Sequence, residues 1–178
     1  MKRKWLFPIF VIFIMASTAA YASERAPLGE TGHIGLKVDY ISFTDMSNVT
    51  SGLAGLFLYF DVTKNLYLGG EFGYAFGDMN DVKFIPLELN IKYAVETSPN
   101  VVIDLGAGVS MNYVERKGWS FGSTTFDDWL FGGQFFAGLN LAYDAVIIGF
   151  HGKYQITDEF YNTNYNNWRA GLQIGFPF

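Results

Sequence analysis

Cysteine is absent from the 178-residue chain, which excludes a disulfide framework and any thiolate-bound metal. Histidine is nearly absent too, and His33 and His151 alone are too few to found a transition-metal site, so no cofactor is expected. Basic residues are in the minority, 12 against 17 acidic. The formal charge of -5 leaves no footprint for a phosphate backbone, so no nucleic-acid partner is expected. Charged residues of all kinds reach only 16% against 50% hydrophobic, a balance too apolar for a disordered tail or linker. Beyond Met15 no apolar run approaches the about 20 residues that a membrane helix needs. Aromatic side chains, at 19%, and 20 glycines are abundant, and together with only 5 prolines they favour β-structure over a helical bundle. The length suits one domain.

Lys2, Arg3 and Lys4 precede an apolar stretch from Trp5 to Met15. Small residues follow and end in Ala20-Tyr21-Ala22, just before the polar Ser23-Glu24-Arg25. This is the three-part pattern of a secretory signal peptide over residues 1–22, with cleavage expected at Ala22. Cleavage removes three of the 12 basic residues and none of the 17 acidic ones, leaving nine against 17 and a formal charge of -8. Residues 23–31 then form a short periplasmic lead, and residues 32–178 form the domain.

From Gly32 onward, eight runs alternate apolar and polar residues with period two, separated by turn-rich polar segments. The first sets Ile34, Leu36, Val38 and Tyr40 against His33, Gly35, Lys37 and Asp39. The fourth is the most regular: Ile85, Leu87, Leu89, Ile91, Tyr93 and Val95 alternate with Pro86, Glu88, Asn90, Lys92 and Ala94. The links at 63–65, 96–100 and 143–144 are tight, whereas those at 44–52, 77–83, 114–127 and 157–167 are longer. Runs of roughly 10 residues with short links at one end and long links at the other predict an all-β fold, an eight-stranded antiparallel up-and-down transmembrane β-barrel.

Alternation alone does not say which face is inside, because a soluble lipocalin-like barrel has the same period with its apolar face enclosed. Glycine decides the matter. Eleven glycines share the parity of the charged residues, and only three, Gly70, Gly133 and Gly152, share the apolar one. An eight-stranded interior is barely wide enough for side chains, so small residues belong there beside the few long ones. The charged parity therefore points in, and the apolar parity faces lipid. Tyr40, Tyr74, Tyr113, Trp129, Tyr154 and Trp168 fall near the long links, and Phe60, Tyr93, Phe176 and Phe178 near the short ones. Both sets suit interfacial girdles.

The last run, Trp168 to Phe178, alternates strictly and ends in Phe-Pro-Phe. With the other seven runs it resembles the eight-stranded outer-membrane barrels of the OmpA transmembrane-domain and OmpX type, over residues 32–178. The resemblance implies that Phe176 and Phe178 form the signal read by the barrel-assembly machinery. It also implies delivery by periplasmic chaperones, contact with outer-membrane lipid and lipopolysaccharide, and residence in a bacterial outer membrane. Pro177 departs from the pattern and removes one ladder donor, which should weaken the last pair.

The interior charges are expected to be Lys37, Lys92, Lys153 and Arg169 against Asp39, Asp61, Glu71, Glu88 and Asp104, with His151 among them. So nearly balanced a set in a narrow lumen should pair into a polar network that plugs the barrel, whereas an ion-selective pore would carry rings of one sign. Folding the third and fourth runs together puts Glu71 opposite Glu88, and folding the fourth and fifth puts Lys92 opposite Asp104. Two carboxylates brought together could serve acid-base chemistry, and His151 with Ser110 could serve hydrolysis. Outer-membrane lipid A deacylases, however, carry a His-x-Ser pair at the lipid face, and His151-Gly152-Lys153 has no serine. The loops at 115–127 and 157–167 hold Trp119, Phe121, Phe126, Phe160, Tyr161 and Tyr165 among small polar residues, as candidate recognition surfaces for an extracellular ligand. The reading is a small non-enzymatic outer-membrane barrel serving envelope integrity or surface interaction. A narrow channel and a lipid-modifying enzyme stand as alternatives.

Overall fold

The computed structural model describes residues 26–29, 31–46, 50–76, 82–117, 125–160 and 163–178. The signal peptide expected at residues 1–22, with its cleavage site, lies outside them. Ten strands follow in chain order: β1 (Gly32–Phe43), β2 (Thr50–Thr63), β3 (Leu66–Phe76), β4 (Val82–Ser98), β5 (Val101–Lys117), β6 (Thr125–Ala142), β7 (Ile147–Thr157), β8 (Glu159–Phe160), β9 (Thr163–Asn164) and β10 (Asn167–Pro177). Eight of them close into an antiparallel barrel in which each strand pairs with its neighbour in the chain, and β10 returns to β1. The pair β8–β9 is a small hairpin on the link between β7 and β10.

The tight turns are built from residues suited to them. Pro99 and Asn100 alone connect β4 to β5, and Asn100 has φ 65°, a left-handed conformation that asparagine tolerates better than most residues. At the turn before β3, Asn65 is buried and clasps the neighbouring strand, its Nδ2 donating to the Ala94 carbonyl at 2.7 Å while its own carbonyl accepts from Ala94 N at 2.8 Å.

The faces sort as the glycine argument predicts. Leu36, Val38, Leu89, Phe131, Phe150 and Leu172 are exposed, Leu172 by 65%, while Lys37 and Arg169 retain only 4% and 2%. A continuous outward apolar surface cannot be left in water, and a closed barrel leaves no unpaired edge to lipid. No helix among the described residues is long and apolar enough to cross a membrane, and the strands carry the apolar band instead. Tyr154 packs against Trp168 at a tilt of 36° with centroids 4.2 Å apart, and Tyr113 lies 5.3 Å from Trp129, all near the long links. Lumen glycines are required by their neighbours: a Cβ on Gly138 would lie 2.6 Å from the Asp104 carboxylate, and one on Gly171 would overlap that of Asp39.

Two expectations need correction. Strands β5 and β6 continue past the sequence-based boundary, with Glu115 opposite Asp127 and Lys117 opposite Thr125, so both flanks of the loop expected at 115–127 form a paired ribbon. Once both faces of a ribbon are wet, apolar alternation fades although the backbone ladder goes on. Trp119 and Phe121 lie outside the described residues, as does Tyr161 of the second loop. The end of the barrel is also firmer than Pro177 suggested. Pro177 still lies opposite His33, Phe178 N donates to the Gly32 carbonyl at 3.0 Å, and Thr31 N donates to the Phe178 carbonyl at 3.1 Å.

Candidate functional site in the barrel interior

The lumen is filled in three layers. At the long-link end, Ile41, Phe43, Leu53, Phe84, Val114 and Leu130 point inward and pack with Phe160 and Tyr165 from the β7–β10 link. Phe43 makes edge contacts with Phe84 and Tyr165 at 5.3 and 6.0 Å. At the short-turn end, Phe57, Tyr59, Tyr67, Val102 and Ile147 pack around Leu28, which comes from the lead before β1. Leu28 N donates to the Tyr67 hydroxyl at 3.0 Å.

Most of the expected charges face inward and are shielded from solvent, whereas Asp61 is only half-buried, opposite Tyr67 at the short-turn end. Glu71 is opposite Glu88, as the folding of the two runs predicts. Lys153 bridges the pair, 2.7 Å from Glu71 Oε2 and in direct contact with Glu88 Oε2. Lys37 contacts Glu71 Oε2, and the Tyr59 hydroxyl donates to Glu71 Oε1 at 2.6 Å. Arg169 Nη1 donates to Glu88 Oε1 at 2.6 Å and Arg169 Nε to Asn167 Oδ1 at 2.9 Å. Side chains from four other strands thus converge on two carboxylates. Every oxygen of that pair is taken, so neither carboxylate is free to act on a substrate.

The second expected pair does not form. Lys92 lies opposite Gly106, and Asp104 lies opposite Ala94. The ladder runs on to Ser98 opposite Val101 and turns over two residues, which moves the register by two positions from the expected one. Lys92 Nζ instead lies 2.7 Å from His33 Nε2 and 3.9 Å from the centroid of the Tyr59 ring. Asp104 Oδ2 accepts from Asn140 at 2.7 Å, and Asn140 Oδ1 accepts from Gln173 at 2.6 Å. His151 Nε2 lies 2.8 Å from Asp39 Oδ1, off the line of a good hydrogen bond. Asp39 and His151 are not adjacent in the ladder; each is opposite Gly171, and their side chains meet above it. Ser110 does not join His151: it is opposite Glu88, and its hydroxyl accepts from Asn112 at 3.0 Å.

The two apolar layers are what sequence reasoning missed. Their members are ordinary Ile, Leu, Phe and Val residues on the charged parity, and the signal that could have found them was parity carried into the strand ends.

No family model matches the sequence, and no curated protein matches it. Solved structures do share the architecture. Neisserial surface protein A superimposes with a TM-score of 0.72 at 12% identity, over 83% of this chain and 97% of that one. The N-terminal β-barrel domain of Pseudomonas aeruginosa OprF gives 0.61 at 15% identity, over 82% of this chain and 98% of that one. This chain has the fold of the eight-stranded outer-membrane β-barrels. The outer membrane enzyme PagL also shares that barrel, with a TM-score of 0.53 at 15% identity over 82% of this chain and 99% of that one. Within an outer-membrane barrel fold, the apolar outer band is the lipid contact, and the charged interior answers to packing and pairing instead of hydration.

Proposed function

We propose that this protein is a small non-enzymatic outer-membrane barrel whose filled interior makes it a rigid platform, serving envelope integrity or surface interaction through the long-link end. One observation carries the reading: apolar layers seal both ends of the lumen over an ionic layer in which every oxygen of Glu71 and Glu88 is engaged. A conduit needs a continuous wetted path, and an enzyme needs a reactive group within reach of substrate. His151 is turned to Asp39 inside the wall.

In this reading residues 1–22 direct export and are removed after Ala22, and residues 23–31 form the periplasmic lead, whose Leu28 reaches into the short-turn mouth of the barrel. Phe176 and Phe178 present the assembly signal to the barrel-assembly machinery after delivery by periplasmic chaperones. The outward band meets lipid and lipopolysaccharide. The ribbon within 115–127, the hairpin-bearing link at 157–167 and the link after β1 face the medium, and at this end Asp45, Asp127, Asp128, Asp158 and Glu159 are exposed. Those residues account for much of the acidic excess that the nearly balanced lumen does not hold.

The mature chain refolded into detergent should migrate differently in SDS gels before and after boiling, and recovery as a soluble protein without detergent would end the membrane reading. Planar bilayers holding the refolded protein should show no discrete conductance, and steady openings would favour the narrow channel. Lipid profiles of a deletion strain should match the parent, and an altered lipid A pattern restored by wild type but not by His151→Ala would favour the lipid-modifying enzyme.

A further inference from the structure

A cleft of about 440 Å³ opens at the short-turn mouth of the barrel. Four separate stretches of chain wall it: the lead between Ala26 and Thr31, the β4–β5 turn, the β6–β7 turn and the end of β10. Each wall is tied down. The lead is held by Leu28 N, which donates to the Tyr67 hydroxyl at 3.0 Å, and by Thr31 N, which donates to the Phe178 carbonyl at 3.1 Å. Ala142 N donates to the Asn100 carbonyl at 2.8 Å and laces the two turns together, while Tyr143 N donates to the Val146 carbonyl at 2.9 Å within its own turn. Asn100 N donates to Glu96 Oε1 at 3.3 Å and holds that carboxylate against the turn. The cleft is therefore formed before any ligand arrives, and its volume falls in the range of small-molecule sites.

Its lining selects one kind of occupant. Among the described residues it carries two carboxylates, Glu96 and Asp144, and no lysine, arginine or histidine. Pro27, Val102, Ala142 and Pro177 supply apolar surface beside them. A bare metal ion is a poor match, since no group of three acidic or imidazole side chains among the described residues is placed to hold one. A primary ammonium on an aliphatic stem matches both parts, because the head brings three N–H donors to the carboxylates and the stem covers the apolar lining. We propose that the short-turn cleft binds such an ammonium, the chemistry shared by free alkyl diamines and by the lysine side chain of a peptide, with Glu96 and Asp144 receiving the head and Val102 and Ala142 the stem. The site lies at the opposite end from the long-link surface and does not depend on the role proposed for that surface.

The test uses the isotope-labelled mature chain refolded into phosphocholine micelles, titrated with cadaverine and followed by amide chemical shifts. Gel mobility is checked first, and a wild-type protein without the heat-dependent shift would overturn the closed barrel on which the cleft depends. Saturable shifts should appear at Glu96, Asn100, Ala142 and Asp144, while Asp127, Asp128 and Glu159 at the other end stay still. Pentanediol, which has the stem without the charge, should move none of them. Glu96→Gln with Asp144→Asn should keep the gel shift and weaken cadaverine binding by roughly tenfold or more, with Glu96→Gln alone carrying the comparison if the pair fails to fold. Equal shifts at both ends, an equal response to pentanediol, or binding unchanged in the variants would overturn the site. A blocked tripeptide with a central lysine separates the two sources. A response to cadaverine alone assigns the cleft to free diamines, a response to the peptide alone assigns it to lysine side chains, and silence towards both refutes the proposal.

Discussion

The middle and the ends of this lumen solve one problem with opposite chemistry. Both must fill a tube barely wider than its side chains. The middle does so with Lys37, Glu71, Glu88, Lys153 and Arg169, groups that are stable out of water only as a set. The ends do so with Phe43, Leu53 and Phe84 on one side and Leu28, Phe57 and Tyr67 on the other, each of which would be content in any apolar setting. The apolar ends keep water from the charges, and that exclusion makes each ion pair strong and each missing partner expensive. The ionic layer, for its part, cannot be rearranged piecemeal, so it sets the relative position of the six strands that contribute to it.

The contrast is broken most severely by Glu88→Ala, which leaves Arg169 without a carboxylate and Lys153 with Glu71 alone. It should cost about 3–5 kcal/mol in urea unfolding from lipid vesicles, read by the fluorescence of Trp129 and Trp168. Replacing Glu88 and Arg169 together by leucine should cost less than Glu88→Ala alone, and a larger loss would mean that the charges are individually, not collectively, stabilising. In the long-link layer, Leu53→Ala should cost about 2–5 kcal/mol by leaving a cavity among fixed neighbours. Tyr59→Phe removes one donor from Glu71 and leaves its cations in place, so about 1–3 kcal/mol is expected by the same measurement. The smallest global effect should come from Leu28→Ala, because Leu28 lies on the lead and not on a barrel strand. The substitution should speed exchange of the backbone amide at position 28, which donates to the Tyr67 hydroxyl, with the unfolding midpoint nearly unchanged.

Much of the architecture was legible before the structure. The unbroken alternation from Ile85 to Val95 and the bias of glycine to the charged parity suffice for strand number, hand of burial and the Glu71–Glu88 encounter, because side-chain direction along a strand is local and strictly periodic. Ends were less legible. The ribbon through Glu115 and Asp127 is polar on both faces, and the partners of Lys92 and Asp104 depend on where a two-residue turn falls. Asp39 and His151 meet over Gly171, across a strand that follows β1 by over a hundred residues, a contact that no short stretch of sequence encodes.

The chain by itself determined eight membrane-length strands and which parity of each faces lipid, since these follow from composition and from a period of two. Tertiary structure alone decided that the lumen is sealed at both ends and that two like-charged carboxylates are reconciled by cations from three other strands. Those outcomes depend on register and closure. Both are settled only when all eight strands meet, because each strand's neighbours, and not its own residues, fix the height at which its side chains enter the shared interior.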